Sequence, residues 1–143
     1  MAGLPLHYID LRVFSYVTED DELVEGALRT LLPEEAEIER AVTEGHYGDP
    51  ILVLSSRIET ADEQRHVLDQ LGTSDVVEQL RTELDDRVTA DTELYCSLDK
   101  QAAAAGRVEV GRGITVRAKL EAYPATRENA LESAEEVLSY LSS

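Results

Sequence analysis

Lysine is nearly missing from this sequence: Lys100 and Lys119 are the two among 143 residues. Thirteen Lys plus Arg stand against 30 Asp plus Glu, a net charge of −17. Poverty in lysine with excess carboxylate suits concentrated salt. There the Debye length falls to about 3 Å and hydrated carboxylates keep a protein dispersed. An acidic protein of ordinary salt, or an acidic partner of a basic one, has the same composition, so that alternative stays open. Tryptophan is absent and Phe occurs once, so a core must be built mainly from Val, Leu, Ile and Ala. The single cysteine, Cys96, excludes an intrachain disulfide, and its place in an alternating apolar run suggests a small buried hydrophobe. No segment approaches the roughly 20 apolar residues of a membrane helix, and the start of the chain lacks a signal-peptide pattern. The expectation is a cytoplasmic protein with no membrane partner.

Catalytic signatures are missing too. His7, His46 and His66 lie far apart with no Cys or Glu at zinc spacing. There is no phosphate-cradling glycine loop, no dinucleotide fingerprint and no nucleophile elbow. The expectation is a non-enzyme with no catalytic residue, no cofactor and no metal site.

What is present is alternation and periodicity. His7 to Val17 reads as a strand with Ile9, Leu11, Val13 and Val17 on one face and Asp10 and Arg12 on the other. Asp20 caps a helix whose stripe is Leu23, Val24, Ala27, Leu28, Leu31 and Leu32. Ala36 to Thr43, with Ile38 and Val42 expected inward, and Ile51 to Ile58 read as a long hairpin around the loop Glu44 to Pro50, with Ile51–Leu54 expected to be buried on both sides. Thr60 with Glu63, then Thr73 or Ser74, cap two further helices. Leu94, Cys96 and Leu98 alternate as a strand, followed by an alanine-rich turn from Gln101 to Ala105. Val108 and Val110 begin an expected hairpin through Gly111-Arg112-Gly113 into Ile114 to Tyr123, and Thr126 caps the last helix. The order β-α-β-β-α-α-β-(short α)-β-β-α predicts one α+β domain over residues 1–143. Its sheet is expected to be mixed or antiparallel, with helices on one side.

Charge is unevenly spread along this order. Residues 95–120 carry five basic side chains (Lys100, Arg107, Arg112, Arg117 and Lys119) and two acidic ones, so both lysines fall in one basic island. Period-two alternation turns Arg117 and Lys119 outward on their strand, with Arg107 expected on the neighbouring strand and Arg112 in the turn. Cations sharing one face can track a phosphate backbone, and they can equally pair with the abundant carboxylates. The loop Gly45-His46-Tyr47-Gly48-Asp49-Pro50 offers a second candidate, in which Tyr47 stacks on a base beside His46. An ordinary hairpin turn with positive-φ glycines accounts for the same residues.

Three stretches together carry a resemblance: His7 to Asp20, Thr43 to Ile51, and Leu98 to Gly106. They resemble an archaeal family of small RNA-binding proteins described as predicted exosome subunits, with a fold like that of a large-subunit ribosomal protein. The resemblance covers nearly the whole chain. It implies a non-catalytic, dimeric RNA-binding α+β domain acting on structured RNA in an exosome or ribosome setting, here from a salt-adapted archaeon. The RNA contacts it suggests are Lys100, Arg107, Arg112, Arg117, Lys119, His46 and Tyr47. The acidic surface departs from that family, which weakens charge-driven capture and favours arginine hydrogen bonds and stacking. The alternative is a protein-interaction subunit whose basic island docks on an acidic partner without touching RNA.

Overall fold

The computed structural model describes residues 3–143. Its elements are β1 (Leu6–Ser15), α1 (Asp21–Arg29), β2 (Glu39–Glu44), β3 (Pro50–Ile58), α2 (Ala61–Leu71), α3 (Ser74–Arg87), β4 (Glu93–Asp99), α4 (Lys100–Ala104), β5 (Gly113–Leu120) and α5 (Arg127–Leu141). The five strands form one sheet in the order β2-β3-β1-β5-β4, antiparallel at every step. The fold is α+β, with the helices packed on one side of that sheet.

β1 occupies the centre because its inward residues can be covered there from both flanks. Ile9, Leu11 and Val13 are fully buried, while Asp10 and Arg12 point to the opposite face. β5 repeats the pattern with Ile114, Val116, Ala118 and Leu120 inward, and β4 with Leu94, Cys96 and Leu98. Val24, Ala27 and Leu28 of α1, Val67 and Leu68 of α2, Val76 and Leu80 of α3, and Ala134 and Val137 of α5 complete one core. Each long helix starts where its cap predicts. Asp20 accepts from the Glu22 N–H at 2.9 Å, Thr60 from Glu63, Thr73 from Val76 and Thr126 from Asn129.

Five sequence expectations change. Val17 lies beyond the end of β1 and is 61% exposed. Leu23 is likewise exposed, on the outer side of α1, and Val42 is 71% exposed on β2. The apolar run in β3 is not buried on both sides: of Ile51, Leu52, Val53 and Leu54, Leu54 alone is buried. Helices cover one face of the sheet, and the β2–β3 hairpin reaches past them, so every residue of β2 is exposed.

The fifth change concerns Val108 to Val110. These residues form no strand against β5, because β1 and β4 already occupy both edges of β5. The segment runs instead along the outer edge of β4, where Val110 bridges Leu98 and the Asp99 N–H donates to the Glu109 carbonyl at 2.9 Å. Gly111 makes this passage possible: a Cβ there would stand 2.6 Å from the Asp99 Cβ and 2.8 Å from its Cα. At the other end of β4, Val88 bridges Leu94.

Candidate nucleic-acid interface

The side of the sheet that no helix covers is built from outward residues of four strands. Registers place them in cross-strand rows. One row holds Tyr95, Arg117, Asp10 and Arg57; the next holds Ser97, Thr115, Arg12 and Ser55, ending at Glu39 on β2. On this face a depression of about 610 Å³ is lined by Arg12, Arg57, Arg117, Asp10, Ser55 and Thr115 among others.

The three arginines are held differently. Arg57 makes a two-pronged pair with Asp10 at 2.8 Å on each prong, and its guanidinium lies 3.9 Å from the centre of the Tyr8 ring. The bonds it donates to the Asp10 carboxylate raise its already high pKa further. Arg117 reaches Glu93 at 3.5 Å, a long and weak pair. Arg12 is exposed, has no ion pair or side-chain hydrogen bond among the described residues, and sits 5.5 Å from the centre of the Phe14 ring. Lys119 is tied to the Asp91 carbonyl. Along the outward side of β1 the residues alternate Tyr8, Asp10, Arg12, Phe14 and then Tyr16, with Phe14 and Tyr16 rings 6.4 Å apart.

The seven residues singled out in the sequence divide into three places. Arg117 and Lys119 lie on the open face and are joined there by Arg12 and Arg57. Lys100 is largely covered at the start of α4. Its Nζ donates to the Phe14 carbonyl at 3.0 Å and to Glu19 at 2.8 Å, and lies 5.1 Å from the centre of the Tyr16 ring. Tyr16 in turn lines a groove of about 300 Å³ with His46 and Tyr47, whose rings meet edge to face at 4.8 Å on the β2–β3 turn. Gly48 there has a φ of +83°, as a tight turn needs. Arg107 and Arg112 belong to the segment edging β4 rather than to a hairpin with β5; Arg107 pairs with Glu109 at 3.1 Å, and Arg112 is exposed.

Sequence pattern does not single out Arg12 and Arg57, because they lie far from residues 95–120 in the chain. Alternation alone gives their outward position on β1 and β3. Their meeting with Arg117 depends on the strand order β3-β1-β5, which local pattern does not carry.

A family model described as RNA binding matches residues 8–120. The chain belongs to this RNA-binding family. The matched span begins at Tyr8 and ends at Leu120, and so contains all five strands but for the first two residues of β1. An RNA-binding protein of Pyrococcus abyssi is 36% identical over 150 residues, covering 96% of this chain and 97% of its own. The crystal structure of a DUF54 protein from Archaeoglobus fulgidus superposes with a TM-score of 0.83 at 31% identity, over 92% of this chain and 99% of that one. A DUF54 protein of Methanothermobacter thermautotrophicus gives 0.77 at 36% identity, over 93% and 98%. No helix among the described residues is long and apolar enough to cross a membrane.

Proposed function

We propose that this protein is a non-catalytic RNA-binding accessory protein that holds RNA on the uncovered face of its sheet. The observation that carries the reading is the convergence of Arg12, Arg57 and Arg117 in one concavity, in a chain whose net charge is −17. Acidic surface elsewhere repels a polyanion, which leaves the face where guanidinium groups gather as the place for phosphate and base contacts. Lys119 extends that face, while His46 and Tyr47 line the neighbouring aromatic groove and Lys100 approaches its Tyr16 ring. The match to an RNA-binding family and the name of the Pyrococcus relative support the same reading. RNA processing with the exosome, or a ribosome-associated task, is the setting proposed for it, in a salt-rich cytoplasm. A second copy is the proposed protein partner, with the free edge of β2 as the strand available for pairing.

The test is ultraviolet crosslinking to RNA in molar potassium chloride. Replacing Arg117 and Lys119 together by Glu is expected to reduce crosslinking about tenfold or more with the far-ultraviolet circular dichroism unchanged. Unchanged crosslinking would move the RNA away from this face. Light scattering of the same sample reports whether the protein is a dimer.

A further inference from the structure

Rows of side chains on this face differ in what is left uncommitted. In the row Tyr95–Arg117–Asp10–Arg57 the one carboxylate is taken: Arg57 grips Asp10, while Arg117 reaches Glu93, outside the row, at 3.5 Å. The adjacent row, Ser97–Thr115–Arg12–Ser55, is another matter. Its four members come from β4, β5, β1 and β3, directly opposite one another in register, and each can donate a hydrogen bond. Among the described residues none of the four side chains has an intramolecular hydrogen-bond partner. Four strands at about 4.8 Å spacing make this a line of donors roughly 14 Å long, running across the strands. Hydroxyls flanking a guanidinium, with no carboxylate inside the line, are the donor set that phosphate oxygens require.

The line is one backbone wide. Beyond Ser55 it ends at Glu39, and in the parallel row Arg57 is already bound through both prongs to Asp10, so a second phosphate strand alongside the first would find Arg117 as its one available cation there. An A-form duplex presents two such backbones. Rings stand free nearby: Tyr47 is 88% exposed and Tyr16 is 47% exposed beside the same end of β1. Rings of this kind take unstacked bases, which a duplex keeps inside.

We propose that the ligand is an unpaired RNA strand whose backbone lies across the sheet along Ser97, Thr115, Arg12 and Ser55, with a base stacked in the groove of Tyr16 and Tyr47. The inference rests on the RNA-binding reading above and narrows it to single-stranded segments. Arg12 supplies the one uncompensated charge of the line. Thr115 and Ser55 set its direction, and the rings secure a base without regard to its identity.

Fluorescence anisotropy in molar potassium chloride separates the outcomes. The probe is a labelled mixed-sequence oligoribonucleotide of about ten nucleotides, free or annealed to its complement. The single strand is expected to bind about tenfold or more tightly than the duplex. Arg12→Gln and Tyr47→Ala should each weaken it about tenfold. Arg81→Gln, which removes the same charge from α3, should change it less than about twofold. If the duplex binds as well as the single strand and Arg12→Gln still weakens binding, RNA binding at the sheet stands and the single-strand assignment falls. Equal losses for Arg12→Gln and Arg81→Gln would overturn the donor line. Binding of neither form would remove both readings.

Discussion

Two ionisable residues away from the open face show how position decides reactivity. Cys96 is buried on the helix side of β4, and burial pushes its thiol up to about 12, a rise that the nearby Arg87 only partly opposes. The thiolate is the reactive species, so native protein should not react with an aromatic disulfide reagent at about pH 8, whereas urea-unfolded protein should titrate one thiol. Rapid native labelling would show that β4 opens readily. Glu19 behaves in the opposite sense. Partial burial pushes its carboxyl up, but the bonds from Lys100 and the Tyr16 N–H outweigh burial and leave it below its ordinary 4.5. A carboxylate whose folded pKa is depressed adds stability above the unfolded value and loses it as pH falls through the folded one. Glu19→Gln should therefore lower the urea midpoint at about pH 7, and the gap from the unmodified protein should close below 4.5. A gap independent of pH would mean that Lys100 is held by the Phe14 carbonyl alone.

Elements with a clean period are legible in the sequence itself. β4 and β5 alternate strictly, β1 does so from Tyr8 onward, and four helices begin at side chains able to cap them, so local chemistry is enough. Two glycines test the same local chemistry with opposite signs. Gly26 sits inside α1 with open space where a Cβ would go, so Gly26→Ala should stabilise by about 0.5–1 kcal/mol. Gly111 is pressed against Asp99, so Gly111→Ala should cost about 1–3 kcal/mol and detach the segment edging β4. Thermal denaturation reads both. The expected hairpin at Val108 fails for a non-local reason: a strand pairs with a sequence neighbour only if no other strand takes that edge, and β1 takes it. Burial of Ile51 to Val53 fails because an apolar run does not announce whether a helix will reach it. The gathering of Arg12, Arg57 and Arg117 is hidden for the same reason as the hairpin, since strand order brings them together.

At the scale of the whole molecule, charge ties the stability of the fold to ionic strength. With a net −17 on 143 residues, self-repulsion opposes compaction at low ionic strength and is screened in molar salt. The melting temperature should rise by about 5 °C or more from dilute buffer to molar potassium chloride. A flat profile would assign the acidity to a basic protein partner instead. The same salt would suppress the counterion-release part of the proposed RNA affinity, so contacts that survive it must be short and directional. Guanidinium forks, hydroxyls and rings meet that requirement better than lysine does.

The sheet's two margins are unlike. Val88 and Val110 each bridge to β4 and blunt one margin, whereas no strand or bridge among the described residues pairs the outer edge of β2. Growth by strand addition therefore has a single permitted direction. Two copies joined through β2 would make a ten-stranded sheet closed by a two-fold axis, with a blunted strand at each far end. Such a sheet has nowhere to accept a third copy, so the geometry that leaves one strand sticky also forbids a filament.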